Sequence, residues 1–142
     1  MVQEYPMANR KILLVDDEPS VLKMLSRRLQ ESHYDVVTAS DGIQALDILP
    51  TIKPDLIISD IMMPNMDGYT FITKLRNQPA LANIPVIILT AKDKMQDLFL
   101  FKGVKTCDYI VKPFETEELL QKIAQLLARV DAHLGSPPPK SA

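Results

Sequence analysis

Five short apolar runs rich in β-branched residues constrain this chain more than any other feature. They are Ile12–Val15, Val36–Thr38, Leu56–Ser59, Val86–Thr90 and Tyr109–Val111. Runs of this length and composition predict strands. Between them, apolar positions recur at three and four, as in Val21, Leu22, Leu25 and Leu29, or Leu119, Leu120, Ile123, Leu126, Leu127 and Val130. That spacing predicts amphipathic helices. Strand and helix therefore alternate five times. Each crossover must return the chain to the same end of the sheet and lay its helix on a face. The expected fold is α/β: a doubly wound (βα)5 sandwich around a five-stranded parallel sheet of order 2-1-3-4-5.

Local punctuation agrees with this reading. Pro19 suits the first turn of a helix, Ser40 or Asp41 can cap the second, and Asp67 can cap the third ahead of Tyr69 to Leu75. Periodicity begins near Lys11 and stops after Val130, where "DAHLGSPPPKSA" carries three consecutive prolines. Residues 1–10 read as an N-terminal extension, 11–130 as one domain and 131–142 as a Pro-rich tail or linker.

Composition excludes several classes. Sixteen basic residues against eighteen acidic ones give a formal charge of -2, with no block of like charge, so no nucleic-acid footprint is expected. A single cysteine, Cys107, forbids an internal disulfide and fits a reducing, cytoplasmic setting. No apolar run approaches the ~20 residues of a membrane span, so no membrane contact is expected.

The chemistry is expected where the strands end. "LLVDDEPS" turns from an apolar run into three consecutive acids, and "DLIISDIMMPNMDG" ends its run in Asp60. In an open sheet of order 2-1-3-4-5, ligands bind at the carboxyl ends of the strands between the first and the third. Asp16, Asp17 and Asp60 should then share one crevice. Two unit charges ~4 Å apart repel by roughly 4 kcal/mol at an effective dielectric near 20, a heavy load on an ordinary domain. All-oxygen donors without thiolate or histidine suit a hard divalent cation, Mg²⁺ or Mn²⁺. Thr90 and Lys112 end the fourth and fifth strands on the same side, and a hydroxyl and an ammonium beside a cation make a receptor for a phosphoryl group.

Together, "LLVDDEPS", "DLIISDIMMPNMDGYTFITKLR", "IPVIILTAK" and "DYIVKPFETEELL" resemble the response-regulator receiver domain of two-component signalling, from about Lys11 to about Ala128. The resemblance implies a flavodoxin-like fold in which Asp60 is the phosphoacceptor, loaded by a sensor histidine kinase, a phosphotransfer protein or a small acyl phosphate. It implies Asp17 as a direct Mg²⁺ ligand, Asp16 acting through coordinated water, and the backbone carbonyl of Met62 completing the protein ligands. Lys112 would pair with the phosphoryl oxygens and Thr90 would hydrogen-bond one of them. Thr90 would also be coupled to Tyr109, so that the face built from helix four, strand five and helix five changes shape. That face, near Phe99, Phe101 and Lys122, would serve an output domain, a docking partner or a phosphorylation-dependent homodimer.

The resemblance further implies a signalling domain rather than a turnover enzyme, catalysing only its own phosphoryl acceptance and slow autodephosphorylation. Met62 and Lys92 would flank the path of the attacking water, and the Lys112–Pro113 bond would be cis. One departure stands out: the usual Gly-Ala pair before strand five is replaced by Lys105 and Thr106, with a glycine displaced to Gly103.

Three other readings compete. A flavin domain shares the architecture, yet "DDEP" would repel a phosphate. A hydrolase with an aspartyl nucleophile usually needs an acidic residue two places further on, which from Asp16 is Glu18, but Pro19 follows in place of a threonine-containing loop. A phosphorylation-independent interaction module on the same fold would have no use for the complete set of site residues.

Overall fold

The computed structural model describes residues 9–91, 93 and 107–134. Five strands, β1 (Lys11–Val15), β2 (Asp35–Ala39), β3 (Leu56–Asp60), β4 (Val86–Ala91) and β5 (Cys107–Lys112), form one sheet of order β2-β1-β3-β4-β5. Every pairing is parallel. The helices are α1 (Pro19–Glu31), α2 (Gly42–Ile52), α3 (Gly68–Arg76) and α4 (Thr116–Leu134). Helix α4 is the fifth helix anticipated from the sequence. The anticipated helix between β4 and β5, with Lys92, Phe99, Phe101, Gly103, Lys105 and Thr106, lies outside the described residues.

The unbroken apolar runs are explained by burial on both sheet faces. Leu13, Val15, Ile57, Val86 and Ile88 point into a core completed by Ala45 and Leu49 of α2 and by Phe71, Ile72 and Leu75 of α3. Their neighbours Ile12, Leu14, Leu56, Ile58, Ile87 and Leu89 point the other way, onto Leu25 and Leu29 of α1 and Leu119, Ile123, Leu126 and Leu127 of α4. Alternate residues of one strand thus serve different cores, because successive side chains leave a strand on opposite sides.

Helix starts follow local chemistry. Pro19 opens α1, and the side chains of Asp41 and Asp67 accept the Gln44 and Thr70 amides at the starts of α2 and α3. Of the two caps offered by the sequence for α2, Asp41 serves. One boundary differs from expectation: α4 continues to Leu134 rather than ending at Val130. Ala132 and Leu134 are strong helix formers, and Asp131 is paired with Arg10, so four residues of the anticipated tail belong to the helix.

Candidate functional site

The register determines which side chains meet. β1 lies between β2 and β3, so the chain leaves β1 and β3 in opposite winding directions and a crevice opens beyond their carboxyl ends. Asp60 closes β3 opposite Leu89 of β4, and the Ile61 N–H donates to the Leu89 carbonyl at 3.1 Å. Thr90 therefore follows one residue further along β4. Lys112, paired with Ala91, ends β5.

Asp16, Asp17 and Asp60 each offer an oxygen, and these atoms all lie within 4.8 Å of one another. Asp16 is fully buried, Asp60 is 9% exposed, and Asp17 faces solvent. The acids are not serving as caps for α1. Glu18 occupies the cap position without a side-chain hydrogen bond, while Asp16 Oδ1 accepts the Glu18 N–H at 2.9 Å. The other oxygen, Asp16 Oδ2, is buried without a hydrogen bond. Lys112 supplies the nearest opposite charge, its Nζ 3.2 Å from Asp60 Oδ2 and 3.7 Å from Asp16 Oδ2.

Burial raises the Asp16 pKa above the ordinary carboxylate range, against the Glu18 amide, with the Asp60 charge adding to the rise and Lys112 opposing it. Partial burial pulls Lys112 down, but the Asp60 and Asp16 charges and the Asp60 hydrogen bond together outweigh it and hold the ammonium above its usual range. One ammonium among three carboxylates leaves two negative charges, the charge that a divalent cation would balance. The orphaned Asp16 oxygen and the all-oxygen donor set fit a small hard cation.

The other site residues are arranged as follows. The Met62 N–H donates to Asp60 Oδ1 at 3.2 Å, and the Met62 side chain is exposed. Thr90 is fully buried, and its hydroxyl donates to the Ala91 carbonyl at 3.2 Å. Tyr109 is exposed on β5 with Lys122 Nζ 5.9 Å from its ring centre, and Lys122 also pairs with Asp108 at 3.1 Å. The Lys112–Pro113 peptide bond is cis.

Sequence reasoning gave Gly68 no part in this region, yet it is crowded against the acceptor. A Cβ at Gly68 would lie 2.9 Å from Ile61 Cα and 3.0 Å from the Asp60 carbonyl oxygen, while the Gly68 N–H donates to the Ile61 carbonyl at 2.8 Å. A glycine directly after a helix cap was the available signal. Ser59, also fully buried, donates its hydroxyl to the Asp60 carbonyl at 2.9 Å.

Comparison with known proteins identifies the class. The response regulator receiver domain matches residues 12–124, and the chain belongs to that family, the receivers of two-component signalling. It is similar to the alkaline phosphatase synthesis transcriptional regulatory protein PhoP of Bacillus subtilis, at 43% identity over 85% of this chain and 50% of that protein. It is similar also to the DNA-binding dual master transcriptional regulator RpaA of Synechocystis, at 39% identity over 85% of this chain and 50% of that one. The chain thus spans about half the length of these relatives.

Solved structures agree in fold. The chemotaxis response regulator CheY4 of Vibrio cholerae superposes with a TM-score of 0.77 at 36% identity, over 83% of this chain and 98% of that chain. The receiver domain of a signal transduction histidine kinase from Syntrophus aciditrophicus gives a TM-score of 0.80 at 34% identity, over 92% and 98%. Among the described residues no helix is long and apolar enough to cross a membrane.

Proposed function

We propose that this receiver accepts a phosphoryl group on Asp60 and passes the change to an output partner. The observation that carries the reading is Lys112 Nζ standing 3.2 Å from Asp60 Oδ2 in a pocket that also gathers Asp16 and Asp17. An Asp60 carboxylate oxygen, released from its Met62 or Lys112 contact, attacks phosphorus, and the bond from phosphorus to the donor breaks. The donor is the phosphohistidine of a sensor histidine kinase or phosphotransfer protein, or a small acyl phosphate. The leaving imidazole or carboxylate takes the electron pair, and Asp60 becomes an aspartyl phosphate.

Asp16, Asp17, Asp60 and the Met62 carbonyl would hold Mg²⁺ or Mn²⁺, which when bound neutralises phosphoryl oxygens. Lys112 meets another of those oxygens through its ammonium. Thr90 can turn its hydroxyl from the Ala91 carbonyl to donate to a third. Such positioning and charge matching is most of what phosphoryl transfer asks of a protein.

Once Thr90 turns, Tyr109 and its contacts with Lys122 and Asp108 are the nearby part of β5 and α4 able to report the change. An output domain, a docking partner or a second copy would read that face. Met62, exposed beside the acceptor, and Lys92 set how long the phosphoryl group lasts against water.

Incubating the chain with Mg²⁺ and acetyl phosphate or phosphoramidate, then measuring intact mass, tests the proposal. The expected result is one phosphoryl adduct that requires Mg²⁺ and is lost in Asp60→Asn. An adduct that survives Asp60→Asn, or none with either donor, refutes it.

A further inference from the structure

The segment 61–67, between β3 and α3, carries Met62 just beyond Asp60, and its shape is fixed from outside the pocket. Asn65 has φ 70°, in the left-handed region that asparagine enters more readily than most residues. Its Nδ2 donates to Asp41 Oδ2 at 2.9 Å. Asp41 uses its other oxygen, Oδ1, to accept the Gln44 N–H at 2.8 Å. One carboxylate therefore caps α2 and grips the acceptor loop at once.

The neighbouring residues reinforce this grip. Gly42 is buried, and a Cβ there would lie 3.0 Å from Met66 Sδ and 3.2 Å from Met66 Cβ, so Met66 fills the space that the glycine leaves. Within the loop, the Met66 N–H donates to the Pro64 carbonyl at 2.7 Å, and Gly68 closes back on Ile61. On the other side, the Asp16 N–H donates to the Ala39 carbonyl at 3.1 Å, two residues before Asp41. A continuous set of contacts runs from Asp16 through Ala39 and Asp41 to Asn65 and returns through the loop to Met62 and Asp60.

We propose that Asp41 and Asn65 are a pair of positioning residues: their hydrogen bond holds the acceptor loop, and with it the Met62 backbone, fixed relative to Asp16 and Asp17, and so sets the affinity for the divalent cation. The inference rests on the reading of Asp16, Asp17 and Asp60 as the cation site. The pair touches neither cation nor phosphoryl group and acts through the loop alone.

The test titrates the full chain with Mg²⁺ by calorimetry and, separately, follows amide hydrogen exchange of Met62 and Gly68 in EDTA. Asp41→Ser keeps a hydroxyl to cap α2 but is too short to reach Asn65, and Asn65→Gly keeps the backbone conformation accessible while losing the amide. Each single variant is expected to weaken Mg²⁺ binding about tenfold, the low end of what losing a supporting partner near a metal costs. Each should also speed exchange of the two amides in the metal-free protein. Combining them should cost no more than either alone, because they break one contact. The exchanged pair, Asp41→Asn with Asn65→Asp, restores donor and acceptor in reverse and should recover both readouts.

Single variants with wild-type affinity and wild-type exchange overturn the proposal, as do losses that multiply in the combination or persist in the exchanged pair. If the wild type binds Mg²⁺ but takes no phosphoryl group, the acceptor reading fails alone, and the clasp is judged on the titration. A wild type that binds no Mg²⁺ overturns both.

Discussion

Asp16 shows how strongly one side chain can load a fold. It is fully buried, one oxygen takes the Glu18 amide, and the other has no hydrogen bond even though Lys112 stands 3.7 Å away. Without a cation, the Glu18 amide and Lys112 compensate this carboxylate only in part, and an incompletely satisfied buried charge costs more than the same shape uncharged. Asp16→Asn should raise the stability of the metal-free protein by about 1–2 kcal/mol, seen as a rise of roughly 3–8 °C in melting temperature. The same variant should lose most of the stabilisation that Mg²⁺ gives the wild type. Calorimetric melting with EDTA and with Mg²⁺ checks both outcomes, and a metal-free variant that melts lower than wild type contradicts the argument.

Cys107 carries the pH dependence that follows most directly from burial. Desolvation pushes its thiol up to about 11, with Arg76 opposing and Asp108 adding to the rise. The folded state therefore keeps its proton while the unfolded chain, near its ordinary value of about 8.5, gives it up. This contribution to stability is level below pH ~8.5 and falls as pH rises from there through the folded pKa. At pH 8 the thiolate fraction is on the order of one in a thousand, so alkylation by iodoacetamide should run far slower than for a free thiol and accelerate up to pH ~11. Mass-resolved alkylation rates across that range measure it.

Between β3 and α3 the decisive feature is crowding. Any side chain at Gly68 meets the backbone of Asp60 and Ile61, atoms that cannot swing aside as a flexible side chain would. Gly68→Ala should cost about 1–3 kcal/mol, as overpacking does, and should displace Asp60 enough to slow phosphoryl acceptance. Denaturant melts and acetyl phosphate kinetics test the two halves, and unchanged values in both would show that the loop yields freely. This crowding was not legible in the sequence, because "MDG" reads as an ordinary turn and helix entry until the fold shows what passes beside it.

The strands, by contrast, were legible to within two residues, and for β1, β3 and β4 the reason is that Val, Ile and Leu runs buried on both faces have few polar interruptions to blur their limits. Asp16, Asp17, Asp60, Thr90 and Lys112 stood out because each ends such a run. The meeting of Asp41, read only as a helix cap, with the exposed Asn65 was not legible, because it depends on tertiary packing. The end of α4 was misplaced for a related reason: "DAHL" lacks the apolar spacing of the preceding turns, and Asp131 in it pairs with a residue 121 positions away, a contact that local spacing does not reveal.

Across the whole molecule, Arg10 links the first and last parts of the described domain. It pairs with Asp131 near the end of α4 and lies 3.9 Å from Asp55 just before β3. The hydrogen bond to Asp131 raises the Arg10 pKa despite some burial, with the charges of Asp131 and Asp55 adding to it. Both ends of the pair are well exposed, so Arg10→Ala should cost less than about 1 kcal/mol globally. Its effect should instead be local, with faster amide exchange over the last turn of α4 and none at Leu119 or Ile123. Uniform acceleration along α4 would show that the pair supports the whole helix.

The division of β1, β3 and β4 into residues that look left and residues that look right has a consequence for how damage spreads. The sheet acts as a wall between two rooms, and what happens in one reaches the other only through the wall's own bending. Trimming Leu75 on the α3 side and Ile123 on the α4 side should therefore produce losses that simply add, whereas trimming two neighbours in the same room should not.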